Sequence, residues 1–98
     1  MGDIRWTAEA QIWLKDIFDY ISLDNLKAAR IVIEGIVKRV KTLKRLPEQG
    51  HKYFRYPELN IRVLLYGHYR IVYLIKSNRD IDILGIFHTA LDMDKYFF

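Results

Sequence analysis

Leu59-Asn60-Ile61-Arg62-Val63-Leu64-Leu65-Tyr66-Gly67-His68-Tyr69-Arg70-Ile71-Val72-Tyr73-Leu74-Ile75 reads as two strands joined by a two-residue turn. Leu59, Ile61, Val63 and Leu65 alternate with Asn60, Arg62, Leu64 and Tyr66, the period of two that sends successive side chains to opposite faces of a sheet. Gly67-His68 suits a type II′ turn, because glycine accepts the positive φ needed at the first central position. The run from Tyr69 to Ile75 then returns in β-branched and aromatic residues. The turn sets the register. With Tyr66 opposite Tyr69, one face carries Arg62, Leu64, Tyr66, Tyr69, Ile71 and Tyr73, and the other carries Leu59, Ile61, Val63, Leu65, Arg70, Val72 and Leu74. Both faces are largely apolar, whereas an antiparallel sheet with one wet side should be polar on that side. Helices are expected to cover one face, and something else, a partner chain being one option, part of the other.

Working outward, Ser77-Asn78-Arg79-Asp80 turns the chain again, and Ile81 to His88 is rich enough in Ile, Leu and Phe to complete a three-stranded meander. Upstream, Glu48-Gln49-Gly50-His51-Lys52 reads as loop, and Leu46-Pro47 ends a helix because proline disfavours α geometry in the residue before it. That helix runs from about Leu26 to Arg45, with Ala29, Ile33, Ile36, Val40 and Leu43 in steps of four and three. An earlier helix follows the possible N-cap Thr7 and shows Ala10, Leu14, Ile17, Phe18 and Ile21 on one stripe. Ser22-Leu23-Asp24-Asn25 supplies polar breakers and a second cap, so the two helices form an antiparallel hairpin. Gly35 is expected to let the first helix approach the second closely. Ile4 to Trp6 is a short N-terminal strand. The fold class is therefore α+β in the order β-α-α-β-β-β, a single domain over residues 1–98 without internal repeat or linker.

Composition narrows the function. The 98 residues are 51% hydrophobic and 29% charged with no cysteine, which excludes wholesale disorder, disulfide frameworks, thiol nucleophiles and thiolate zinc sites. A reducing cytoplasm is the expected setting. The N-terminus lacks the basic and apolar regions of a signal peptide, and no segment reaches the ~18 apolar residues of a membrane span, so no membrane association is expected. The net charge of +4 is unevenly spread. Residues 1–24 carry two basic and five acidic groups, residues 25–55 nine and two, and residues 56–98 five and five. The surplus therefore sits in the middle of the chain.

Catalytic patterns are largely absent. There is no phosphate-binding glycine loop, no HExxH and no GxSxG. His51, His68 and His88 have no second ligand at helical spacing, so neither metal nor cofactor is expected. Ser22 and Ser77 lie at turns, and the pairs Asp80/Asp82 and Asp92/Asp94 read as solvated loop charges. What remains is basic, aromatic and imidazole: Lys52, Arg55, Arg62, Arg70 and His88 interleaved with Tyr53, Tyr56, Tyr66 and Tyr73. Such groups can hold phosphates, stack bases and move a proton in RNA cleavage. They have a plainer reading too, with the arginines paired to carboxylates beside the sheet and the tyrosines in the core with satisfied hydroxyls. The run Lys38, Arg39, Lys41, Lys44 and Arg45 is either the wet side of a helix or a surface for an acidic partner or nucleic acid.

The element order, with the stretch Arg62-x-Leu64-x-x-Gly67-x-Tyr69-Arg70-Ile71-Val72-Tyr73 and a strand ending in His88, resembles the RelE/ParE superfamily of toxins from bacterial type II toxin-antitoxin systems, and the ParE branch more closely. Leu14, Ile17, Tyr20, Ile21, Ala28-Ala29 and the Leu46 to Gly50 turn fall where that family has similar residues. The resemblance implies a growth inhibitor neutralised by a cognate antitoxin in a hetero-oligomer.

Two function classes follow from it. The first is a ParE-like inhibitor of DNA gyrase acting by binding, favoured by the Arg62 to Tyr73 spacing and the lack of an assembled catalytic set. The second is a RelE-like, ribosome-dependent mRNA endoribonuclease, in which Arg62 and Arg70 hold phosphate and His88 is the catalytic acid or base. The nuclease pattern is incomplete: between Ile61 and Tyr69 the only formal cation is Arg62, and Lys95 with Tyr96 is a weak substitute. The ParE pattern departs as well, with Leu91 where an arginine is expected. The apolar second face and the end Tyr96-Phe97-Phe98 call for cover by the antitoxin.

Overall fold

A computed structural model describes residues 2–89 of the chain, in the order β1 (Ile4–Trp6), α1 (Ala8–Ser22), α2 (Leu26–Lys41), a 3-10 turn (Thr42–Lys44), β2 (His51–Lys52), β3 (Ile61–Tyr66), β4 (Tyr69–Ile75) and β5 (Ile81–His88). The strands form one sheet ordered β1-β5-β4-β3-β2. β1 lies parallel to β5, and the other neighbours are antiparallel. The meander register is the one the turn dictates, with Tyr66 opposite Tyr69 and Arg62 opposite Tyr73. Gly67 has φ +56° and His68 a negative φ, the combination that a type II′ turn demands and a type I′ turn does not.

The expected loop at residues 48–52 is partly a strand. His51 and Lys52 pair with Val63 and Arg62. A two-residue run without β-branched side chains gives no strand signal of its own, and the open edge of β3 is what recruits it. The second helix stops earlier than its pattern. At Thr42 the side-chain hydroxyl donates to the Arg39 carbonyl at 2.6 Å, and the backbone tightens into a 3-10 turn before Leu46-Pro47.

Caps fix both helix starts. Thr7 Oγ1 accepts from Ala10 N–H at 3.1 Å and donates to the Ile83 carbonyl at 2.7 Å, which ties α1 to β5. Asn25 Oδ1 accepts from Ala28 N–H at 3.0 Å. Ala29, Ile36, Val40 and Leu43 of the α2 stripe are buried. Ile36, Val40 and Leu43 pack with Leu64, Ile71, Tyr73, Ile83 and Ile86 on the helix-facing side of the sheet, where Leu14 and Ile17 also contribute. Gly35 departs from expectation. It is Tyr66 of β3, not α1, that fills the space: a Cβ on Gly35 would stand 1.7 Å from the Tyr66 hydroxyl. Bare α2 backbone thus gives the tyrosine its seat.

One irregularity matters for function. Val72 pairs with Gly85 but Tyr73 with Ile83, so Leu84 is an extra residue, a β-bulge. Strict alternation would put His88 on the face opposite Ile83. The bulge instead brings Ile86 and His88 to the helix side and sends Phe87 to the far side. There Ile61, Val63, Val72 and Phe87 form a second cluster, covered in part by Tyr53 and Tyr56 from the loop before β3 and by Trp13. The cover expected for the second face is therefore supplied partly from within the chain.

Candidate functional site

Arg62, Arg70 and His88 are placed apart. Arg62, on the helix-facing side, donates to the Glu48 carbonyl at 3.1 Å, to the Gly50 carbonyl at 2.8 Å and to Asn60 Oδ1 at 3.0 Å, with Glu48 Oε2 at 3.4 Å. Its guanidinium is committed to the loop before β2. Its cross-strand partner Tyr73 does the same work from a wholly buried position: the hydroxyl donates to the Pro47 carbonyl at 2.7 Å and accepts Gly50 N–H at 3.0 Å. A Cβ on Gly50 would meet that hydroxyl and the Val63 carbonyl, each at 2.8 Å, so glycine lets the loop close on the pair. The plainer reading holds for both side chains. Arg70 lies on the opposite face, across from Leu65 and Phe87, and makes no hydrogen bond or ion pair among the described residues.

His88 stands at the far end of the sheet. Tyr73 is four residues from Tyr69, the residue that pairs with His88, so Arg62 and His88 are separated by roughly 13 Å along the strands alone. Around His88 the sheet end gathers a different set. Its ring lies 6.1 Å from that of His68, nearly parallel at 18°, and 5.6 Å from Tyr69 edge-on. A cleft of about 540 Å³ opens beside it, lined by Trp13, Asp16, Ile17, Tyr20, Tyr69, Ile86 and His88. Of the α1 contributors, the sequence marks Ile17 as a core position and Tyr20 only by family resemblance, and it does not point to Trp13 or Asp16. Trp13 and Tyr20 flank Ile17 at steps of four and three, so they sit on the edge of the buried stripe, a spacing that could have found them. The candidates Lys95 and Tyr96, the Leu91 departure and the end Tyr96-Phe97-Phe98 lie outside the described residues.

Tyr69 and Tyr73 are held as neutral phenols. Burial pushes the Tyr69 hydroxyl above its ordinary value of 10.0, and nearby Tyr20 adds to this. Burial likewise raises Tyr73, against the opposing pull of Gly50 N–H and Arg62. Neither is poised as a base at neutral pH. Asp80 shifts the other way, lowered chiefly by the Asp3 N–H that it accepts at 2.9 Å.

The linkage has opposite signs at the two ends of the pH scale. Groups with raised folded values stabilise fully below their unfolded pKa, so the tyrosine contribution is lost as pH rises through the folded values above 10.0. Asp80 stabilises above its ordinary 3.8, and its share is lost as pH falls through the lowered folded value. Thermal melts should hold level from about pH 7 to 9 and fall beyond pH 10. Tyr73→Phe should weaken the alkaline fall, and melts that track the wild type to high pH would contradict the assignment.

Two further features bear on partners. An apolar groove of about 570 Å³ runs between the helices, lined by Trp6, Gln11, Leu14, Lys15, Phe18, Ile33 and Val37. Among the described residues no helix is long and apolar enough to cross a membrane, and no group of three or more His, Asp or Glu could hold a metal ion.

Comparison with known proteins places this architecture. The family model described as the ParE toxin of the type II toxin-antitoxin system, parDE, matches residues 4–93. Among solved structures, the chromosomal ParDE TA system from P. aeruginosa contains a chain that superimposes with a TM-score of 0.72 at 27% identity, covering 90% of this chain and 96% of that one. No curated protein matches. The α+β resemblance drawn from the β3–β4 hairpin is thereby met in both sequence and fold, and the chain belongs to the ParE toxin family of type II toxin-antitoxin systems.

Proposed function

We propose that this toxin acts by binding, with DNA gyrase as its target, and that in the cytoplasm a cognate antitoxin holds it silent in a hetero-oligomer. The observation that carries the reading is the dispersal of Arg62, Arg70 and His88. Arg62 is occupied by loop carbonyls, Arg70 faces the other side of the sheet, and His88 stands at its end. General acid–base cleavage of a phosphodiester needs proton-transferring and charge-stabilising groups within reach of one phosphate. A toxin that works by occupying its target needs none.

The family match supports the toxin role, and the ParDE system of P. aeruginosa supports an antitoxin partner. The surface agrees: the groove lined by Trp6, Leu14, Phe18, Ile33 and Val37, together with Leu23 and Tyr20 at 86% and 78% exposure, is apolar area that a partner segment would bury. Co-expression with the antitoxin should raise the soluble yield of the chain.

One observation favours the RelE-like alternative, in which the chain cleaves mRNA on the ribosome. His88 and Tyr69 stand side by side at the mouth of an aromatic cleft, as a proton-transferring pair would. The readings separate on His88→Ala induced in cells without antitoxin, with its accumulation matched to the wild type by immunoblot. Growth arrest undiminished within about twofold is expected, whereas loss of a 10²–10⁴-fold acid–base contribution would sink the binding mechanism.

A further inference from the structure

The positive surplus in the middle of the chain is spatially ordered. On α2 and the turn after it, Lys27, Arg30, Lys38, Lys41, Lys44 and Arg45 are all exposed, with Glu34 the carboxylate among them. Residues 27, 30, 34, 38 and 41 are spaced by three and four, so on α2 they form one outward stripe opposite the buried Ala29, Ile36 and Val40, and Lys44 and Arg45 follow in the 3-10 turn and just after it. None of the six cations forms an ion pair or hydrogen bond among the described residues. By contrast Arg39, on the flank, donates to the Leu65 carbonyl and to Gln49. Six unneutralised cations along α2 and the turn after it repel one another unless an anion is present.

We infer that this stripe and the turn that continues it hold the sugar–phosphate backbone of duplex DNA, chiefly through Lys38, Lys41, Lys44 and Arg45. Charge complementarity alone would admit an acidic protein, but the make-up of the surface favours phosphate. Lysine is depleted and aromatic residues are enriched at protein–protein interfaces. Here the Lys38 to Arg45 stretch presents no aromatic residue, and the exposed apolar groups Ile31 and Leu46 lie beyond its ends. Geometry suits a rod-like polyanion as well. From Lys38 to Arg45, over the last turn of α2 and the 3-10 turn after it, the backbone rises roughly 12 Å, a length over which B-DNA, at one charge per about 1.7 Å, presents about seven phosphates. Glu34 interrupts the stripe towards its start, so the four C-terminal cations are the ones assigned; Asp3 lines the cleft shared with Lys41 and Lys44 but pairs with neither among the described residues. The contact is independent of sequence and of which enzyme the toxin targets.

The test is fluorescence anisotropy of the purified full chain on a labelled duplex of about 30 base pairs across a salt series. Four phosphate contacts give a log–log salt slope of about −3.6, a roughly 150-fold loss of affinity from about 50 to 200 mM salt. Lys41→Gln with Arg45→Gln should halve the slope to about −1.8. Lys15→Gln, a cation removed from α1, should leave it unchanged, and the charge-conserving Lys41→Arg with Arg45→Lys should restore it. Salt-independent binding by the wild type would overturn the assignment. So would an unaltered slope in the double Gln variant, or polyglutamate binding at least as tight as the duplex, which would make an acidic protein the partner.

Discussion

Tyr73→Ala should cost this domain about 4 kcal/mol or more, the upper part of the range for truncating a buried aromatic residue. The ring is wholly buried between the helical hairpin and the sheet, packed with Ile36, Leu43, Ile71 and Ile83. Its hydroxyl also closes the loop, donating to the Pro47 carbonyl and accepting Gly50 N–H. Truncation leaves a cavity and strands two backbone groups. Against a total stability of roughly 5–15 kcal/mol, the loss should lower Tm by about 16 °C or more. Tyr73→Phe separates the two contributions, because it keeps the ring and orphans the backbone pair, for about 1–3 kcal/mol. Urea unfolding with an unchanged m-value measures both. A Phe variant within 0.5 kcal/mol of the wild type would show that the hydroxyl does not hold the loop.

Arg62→Met should cost about 2–3 kcal/mol. Methionine keeps an apolar stem of similar length and removes every donor, leaving the Glu48 and Gly50 carbonyls without their partner. The ion pair with Glu48 adds little of this, since that carboxylate is 59% exposed and screened by water. Arg62→Lys should recover less than half, because a single ammonium cannot span two carbonyls and the Asn60 amide oxygen as a planar guanidinium does. Arg62 and Tyr73 hold the same five-residue turn from adjacent strands. Their double variant should therefore be less destabilised than the two single losses combined, by at least about 0.5 kcal/mol. Strict additivity would mean that the loop is anchored independently at each point.

The same pair shows how far the sequence could be read. The β3–β4 hairpin was legible down to its register because local chemistry decides it: a period of two, a Gly-X turn and β-branched strands act on neighbours in the chain. The α2 stripe and the caps at Thr7 and Asn25 were legible for the same reason. What escaped depends on distant segments. β2 is a strand only because β3 offers it an edge, and Gly35 receives Tyr66 from a strand 31 positions later. The bulge at Leu84 has no residue signature, yet it decides that His88 faces the helices and Phe87 does not. Candidate residues read along the chain as one set, Arg62, Arg70 and His88, are separated by the pleat and by that bulge. A motif on one strand says which residues are present, while the face each occupies is a property of the assembled sheet.

The stretch from Arg62 to Tyr73, which carries the family resemblance, thus acts partly by building the fold. Two of its polar side chains hold the loop, Gly67 makes the turn, and Arg70 is left with its charge uncommitted among the described residues. This leaves surfaces to carry the toxin's action, and the target can be settled directly. Purified chain released from its antitoxin should be added in parallel to a gyrase supercoiling reaction and to translating ribosomes. The account predicts dose-dependent loss of supercoiling, reversed by antitoxin, with the mRNA intact. Cleaved mRNA alongside unimpaired supercoiling would contradict it.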